Sequence, residues 1–456
     1  MKDYINVIGG GLAGCESALQ IAKNKINVKL YEMKPIKFSE AHSNENLAEI
    51  VCSNSFKSNL LTNACGLLKE ELRILESELI KIADNVSIPA GQALAVDREN
   101  FAANVTNLVK QNKYIEIIHK EIIKIPNDAI TIIATGPLTS EDLSKEISKL
   151  INRNELYFYD AASPIIEKES INMNIAFNGN RYEQERLKDE EYEKWLERIN
   201  SQEKSYINLP LNKEEYEKFW NELINAEIVQ LHNFEKKEIF EGCMPIEIMA
   251  KRGIDTLRFG PLKPVGFTDK RTGKRPYAVV QLRQDNTETT LFNMVGFQTN
   301  LKYGEQKRVF SMIPGLENAN FVKYGVMHRN TYINSGNLLD NTYNLKKNNN
   351  IFFAGQITGV EGYVESISSG LVAGINATQK FLNKDKIIFP KETVIGSLAN
   401  YISSPREKFE TMNANFGILP ELTNKIKDKK ERYTKIAERS INKLKKVAVP
   451  LLAERD

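Results

Sequence analysis

The chain has 456 residues, of which 41% are hydrophobic and 27% charged, with a net charge of only +3. That length accommodates two or three domains with substantial cores, and the near-neutral balance excludes a nucleic-acid binder that works through its overall field. No apolar run approaches the roughly 20 residues that span a bilayer, and the N-terminus enters a strand pattern at once, leaving no room for a signal peptide; a cytoplasmic protein with no membrane association is expected. Four cysteines (Cys15, Cys52, Cys65, Cys243) and four histidines are scattered, with no C-x-x-C pair. Neither a metal site nor a disulfide framework is therefore expected.

The first element is a short apolar strand, "INVI" at residues 5–8, followed by the glycine turn and helix "GGGLAGCESALQIAKNK". "NVKLYE" then reads as a second strand and completes a βαβ unit. Gly9, Gly11 and Gly14 have the G-x-G-x-x-G spacing, with Gly10, Leu12 and Ala13 between them. Such spacing provides a tight turn, close backbone approach to a pyrophosphate, and close helix–strand packing. Glu32 ends the second strand, where a carboxylate accepts hydrogen bonds from a ribose 2′-hydroxyl. FAD or NAD is favoured over NADP at this site. Further on, "ACGLLKEELRILESELIKIAD" (64–84) has the apolar period of one amphipathic helix, and "YIEIIHKEIIKI" and "AITIIATG" read as strands. A second strand–turn–helix, "NIFFAGQITGVEGYVESISSGLVAGINATQ", lies far down the chain. A nucleotide domain split in this way is expected over 1–165 and 335–456, with a second domain inserted at 166–334. A charge-rich run before "YINLP" predicts a solvated helix, and "NKIKDKKERYTKIAERSINKLKKV" a basic C-terminal helix.

The glycine segments together resemble the glutathione-reductase type of FAD domain, an α/β fold with a Rossmann-type sheet and, here, an inserted α+β domain. In that family the strand end at Thr135 and Gly136 and the late segment with Gly355, Gln356, Gly359, Glu361, Gly362 and Tyr363 contact the flavin nucleotide. Gln356 stands where those flavoproteins usually carry an acid. The longer segments "AEIVCSNSFKSN", "IPAGQALAVDR", "FEGCMPIEIMAKRG", "TLRFGPLKPVGF", "RPYAVVQLRQDN", "MVGFQTNLKYGEQKRVF" and "NANFGILPEL" are similar, in order and over nearly the whole chain, to the folate- and FAD-dependent tRNA (uracil-5-)-methyltransferases, the TrmFO or small Gid family. This resemblance implies 5,10-methylenetetrahydrofolate as carbon donor, FAD as carrier, NADH or NADPH as reductant, and a T-loop uridine of tRNA (uracil-54) as acceptor. No obligate protein partner is evident.

Carbon 5 of uracil is a poor nucleophile until a thiolate adds to carbon 6, so this chemistry needs a cysteine ionised near neutral pH. In "FEGCMPIEIMAKRG" Cys243 precedes a short helical pattern with Pro245 at its start, Glu247 in its first turn and Gly253 as its stop. A helix N-terminus there favours a thiolate by about 0.3–1 kcal/mol, so neighbouring cations must contribute. A buried inert thiol is the competing reading. Cys52, in "IVCSNS", corresponds to the second reactive cysteine of the family, placed to guard the methylene carbon or to remove the carbon-5 proton. Cys15 and Cys65 read as packing. The segment from Lys251 to Arg283 contains nine Lys/Arg and two acids. Lys251, Arg252, Arg258, Lys263, Arg275 and Arg283 are its candidate RNA contacts. Two rivals keep related chemistry: a ribosomal-RNA uridine as acceptor, or wobble-uridine modification as in the larger Gid relative, of which a longer C-terminal helical domain is expected. A flavin disulfide reductase needs a cysteine pair of suitable spacing, and a non-catalytic RNA-binding protein needs neither the glycine turn nor Cys243.

Overall fold

A computed structural model describes residues 2–39, 41–152, 156–161, 163–181, 191, 194, 205–229, 244–269, 271–325, 327–407 and 409–453. The strand Tyr4–Ile8 pairs in parallel with Asn27–Glu32 on one side and Thr131–Ile133 on the other. Ile115–His119 and Ile351–Phe353 close the two edges, so all five strands are parallel. Strands buried on both faces read as continuous apolar runs, which is why "INVI", "TII" and "IFF" were recognisable.

Two helices cover one face of this sheet at close range. Ser17 Oγ on Leu12–Ala22 donates to the carbonyl of Gly370 at 2.8 Å, on the helix Tyr363–Phe381. A methyl group on Gly370 would lie 2.3 Å from the Ala13 carbonyl oxygen. The small residues of that late helix therefore let two backbones approach.

A second, six-stranded antiparallel sheet is built from Phe177–Asn178, Tyr206–Leu211, Ala278–Gln284, Leu291–Met294, Ile165–Glu167 and Phe321–Lys323. Its apolar side chains form their own cluster, from Ile166 to Phe321. The cluster around the parallel sheet draws on Ile5 to Ile151 and then on Tyr332 to Leu451. Between the two, Leu156–Ala161 pairs antiparallel with Met327–Tyr332.

The segment 64–84 is two helices, Ala64–Ile74 and Glu78–Asn85, where the apolar period suggested one. Glu76 adopts φ +57°, and Ser77 caps the second helix by accepting from Ile80 N–H. Ser77 Oγ also donates to the buried Glu16 carboxylate at 2.8 Å, and Leu79 N–H donates to the same oxygen. A tertiary anchor thus overrides local periodicity. The basic C-terminal helix spans Lys429–Ala453 and buries Ile436, Ala437, Ser440, Leu444, Ala448 and Leu451. The charge-rich run of residues 181–205 lies almost wholly outside the described residues. No described helix is long and apolar enough to cross a membrane.

Candidate active site

An open cleft lies at the carboxyl ends of the parallel strands. This is where ligands bind in open α/β sheets. Gly9, Gly10, Gly11, Leu12, Ala13, Glu32, Thr135, Gly136, Gly355, Gln356 and Tyr363 line it, and so does Cys52.

The glycine turn divides its tasks. A methyl group on Gly14 would lie 1.8 Å from the Gly9 carbonyl oxygen, and one on Gly9 (φ +103°) would lie 2.6 Å from that of Ala134. Those two positions are closed by the protein itself. At Gly11 nothing lies within 4 Å, so the missing side chain leaves open cleft in front of the helix Leu12–Ala22. That helix has no side-chain cap and no acid in its first turn. Its unpaired N–H groups face a cradle suited to a pyrophosphate.

Glu32 is buried and already employed: one carboxylate oxygen accepts from Gly10 N–H at 2.8 Å, the other from Lys34 N–H at 2.9 Å. Each oxygen retains a lone pair for a ribose hydroxyl. Gln356 donates its side-chain amide to the buried Glu361 carboxylate at 2.8 Å. Gly359 packs on the Phe409 ring, and Gly362 makes room for the Glu365 carboxylate. Gly14, Gly359, Glu361 and Gly362 thus stand behind the cleft wall.

Cys52 is half-buried on the loop 50–54, which is held from three directions. Tyr363 Oη accepts from Cys52 N–H at 2.9 Å and from Ser53 N–H at 3.2 Å. Burial, and next the neighbouring Cys52 sulfur, raise the Tyr363 hydroxyl pKa and keep it protonated. Arg98 Nη1 donates to the carbonyls of Ile50 and Val51, while its Nε meets Asp285 at 3.0 Å. Arg283 donates through Nε to Asn54 and through Nη2 to Ser53 Oγ. Both Arg283 and Asp285 come from the antiparallel sheet side, so that sheet braces the cysteine loop. Arg283, expected among the RNA contacts, is a buried brace rather than a surface cation.

Sequence reasoning missed the polar groups that surround this loop. His42, Glu49, Lys34 and Lys120 all line the cleft. Burial, followed by the Lys34 charge, holds the His42 imidazole below its ordinary pKa, hence neutral at pH 7. Lys323 reaches the same corner from the other sheet; burial and then Arg98 lower its pKa, with Glu49 and Cys52 opposing. Only the sequence neighbourhood of "AHSNENLAEIVCSNS" could have signalled His42.

Cys15 is buried, its Sγ on the Gly10 carbonyl, and burial raises its thiol well above the usual range. Cys65 is likewise buried, pushed up to about 12. Neither is a nucleophile in this state. Cys243 lies outside the described residues. The helix that follows it, Ile246–Lys251, is anchored by Glu247, which is buried and accepts from Thr299 Oγ1 and Asn300 N–H, both at 2.9 Å. Lys251, Arg252 and Arg275 are exposed, and Arg258 and Lys263 half-exposed.

The family model for glucose inhibited division protein A matches residues 4–385. A protein of Acetivibrio thermocellus, named methylenetetrahydrofolate--tRNA-(uracil-5-)-methyltransferase TrmFO, is 60% identical over 446 residues, which cover 98% of each chain. Proteins of the same name from Listeria innocua and Caldicellulosiruptor bescii are each 54% identical, covering 99% and 97% of this chain and 100% and 98% of theirs. Among solved structures, GidA of Aquifex aeolicus in its form II crystal superposes with a TM-score of 0.67 at 17% identity, over 98% of this chain and 73% of that one, a likeness of fold. With identity this high over nearly its full length, the chain belongs to the TrmFO family.

Proposed function

We propose that this protein is a methylenetetrahydrofolate-dependent tRNA (uracil-5-)-methyltransferase that forms 5-methyluridine in the tRNA T loop, using FAD and a reduced nicotinamide nucleotide. The observation that carries the proposal is the convergence of the glycine cradle and the Cys52 loop on one cleft. The turn Gly9–Gly10–Gly11 and the N–H groups of Leu12 and Ala13 would hold the FAD pyrophosphate, and Glu32 its adenosine ribose. Thr135, Gly136, Gly355, Gln356 and Tyr363 would face the rest of the cofactor. When bound, FAD supplies the reducing equivalents and accepts the folate-derived carbon.

On this reading Cys243 adds as thiolate to carbon 6 of uracil and makes carbon 5 the nucleophile. Once carbon 5 holds the new substituent, its proton must leave and the carbon 6–sulfur bond must break. Cys52, beside the flavin, is assigned the proton removal. Residues 1–165 and 335–456 form the flavin-binding part and 166–334 the part that presents RNA; the two separate apolar cores support this division.

The test uses purified protein, labelled methylenetetrahydrofolate, NADH or NADPH, and tRNA. Label should enter tRNA as 5-methyluridine, and none should come from S-adenosylmethionine. With 5-fluorouridine tRNA a covalent adduct should form in wild type and in Cys52→Ala, but not in Cys243→Ala. An adduct that maps to Cys52 would reverse the two assignments, and label in ribosomal RNA alone would overturn the acceptor.

A further inference from the structure

Away from the flavin cleft, an open groove of about 590 Å³ is bounded by Asn212, Phe259, Lys263, Lys274, Arg275 and Tyr277. Its size falls within the roughly 300–1,000 Å³ of small-ligand sites. Three features distinguish it from ordinary solvated surface.

First, its charge is one-sided. Lys213, Arg258, Lys263, Lys274 and Arg275 line it, against a single carboxylate, Asp269. That carboxylate is buried and already engaged by Arg271 at 2.9 Å. Among the described residues, Lys263, Lys274 and Arg275 have no carboxylate within ion-pair distance, so three cations converge without an anion.

Second, Phe259 stands in this groove with 73% of its surface exposed. A large ring left in water among cations is an unusual use of a phenylalanine, and it offers a free face for stacking. The ring sits at the end of the helix Thr256–Phe259.

Third, the wall is rigid. The Arg258 guanidinium lies 3.5 Å from the Tyr277 ring centroid, donates to the Tyr277 carbonyl, and pairs with Asp255 at 2.6 Å. Tyr277 in turn packs edge-on against the buried Tyr216.

We infer that this groove holds an unpaired nucleotide of the RNA substrate, its base stacked on Phe259 and its flanking phosphates on Lys263, Lys274 and Arg275. The inference rests on the RNA methyltransferase reading above and deepens it. Positively charged grooves with an aromatic platform are how proteins hold unstacked bases with little sequence preference, and every base has a face to offer. Lys263, Lys274 and Arg275 supply the salt-sensitive part of the affinity, and Phe259 the part that salt leaves alone. Because Phe259 is exposed, replacing it does not disturb the core.

The decisive experiment measures direct binding of tRNA to the FAD-loaded protein by fluorescence anisotropy across a salt series, together with KM for tRNA. Phe259→Ala should weaken binding about tenfold at every salt concentration, and Phe259→Trp should restore it. Lys263→Gln with Arg275→Gln should lower the slope of log affinity against log salt by about two, with flavin content unchanged. Wild-type affinity and slope in all of these variants would overturn the proposal. So would equal losses in Phe259→Ala and Phe259→Trp, which would mark the ring as structural. If wild type itself transfers no methyl group to tRNA, the functional reading fails; if it does and the variants bind normally, only the groove assignment fails.

Discussion

At Gly11 the absent side chain serves a ligand and not the fold. An added methyl group would meet no protein atom within 4 Å, and the backbone there is extended (φ −78°, ψ −169°), which any residue adopts. Gly11→Ala should therefore leave the melting temperature of the flavin-free protein within about 2 °C of wild type. Its visible absorbance per protein should fall to background, because the methyl group occupies the path of the pyrophosphate. An alanine variant that retains flavin would remove the cradle argument. Arg283 presents the opposite case, a buried cation whose contacts are the neutral Asn54 and Ser53. Burial lowers its pKa, so the charge is held against its desolvation penalty. In Arg283→Met, relief of that penalty offsets the orphaned acceptors, and stability should change by no more than about 1 kcal/mol. Methyl transfer should nevertheless drop about tenfold or more, since the Cys52 loop loses one of its three braces and small misplacements of reacting groups are costly. Equal, large losses in both quantities would make Arg283 a folding residue only.

Among the elements, the helix Ala64–Ile74 carries an unusual junction. Glu71 is fully buried and accepts from Val394 N–H and Ile395 N–H at 2.8 Å, at the start of the helix Val394–Ser403, and also from Ser440 Oγ on the C-terminal helix. One carboxyl group thereby ties three helices together. Burial pushes it up to about 7, against hydrogen bonds that pull it down. The folded state therefore keeps a proton that the unfolded chain releases near pH ~4.5. Between that pH and about 7 the native state binds more protons, so stability must fall as pH rises, by at most about 3 kcal/mol from this group. Glu71→Gln should flatten the stability profile across this window when denaturant midpoints are compared at pH ~5 and ~7.5. A variant with the same slope as wild type would show that another group is responsible. The break between Ile74 and Glu78 belongs to the same scale: the apolar period continues through it, but the Glu16 carboxylate claims Ser77 and Leu79 N–H and forces a new helix start.

Across the whole molecule, the antiparallel sheet meets the layer built around the parallel sheet through polar groups beside the cleft. Arg98 pairs with Asp285, Asp97 accepts from Thr287 N–H and Oγ1, and Asn54 donates to the Gln284 carbonyl. Arg98 and Asp285 are largely removed from solvent, at 14% and 5% side-chain exposure, so their attraction is weakly screened. A double-mutant cycle of Arg98→Met and Asp285→Asn should give a coupling of about 1–3 kcal/mol that persists at high salt. A coupling under about 0.3 kcal/mol would mean that the sheets are joined by packing alone. Because Arg98 also holds the carbonyls of Ile50 and Val51, motion between the two sheets would be felt at Cys52.

What the sequence determined by itself is what contiguous residues dictate. The parallel strands, the glycine turn, Glu32 at the strand end and the second strand–turn–helix all follow from local spacing, since a turn that approaches a phosphate requires glycine wherever it occurs. The basic bias around Lys251–Arg283 was visible for the same reason. Tertiary structure alone decided which of those cations face outward: Arg283 sits on a strand buried from both sides, whereas Lys263, Lys274 and Arg275 converge beside an exposed Phe259. It also decided that Cys52 meets Tyr363, 311 positions away, and that its neighbours Asn54 and Ser53 meet Arg283, 229 and 230 positions away. Periodicity and motif spacing carry no information about such pairings, because they join segments far apart in the chain that meet only in the folded molecule.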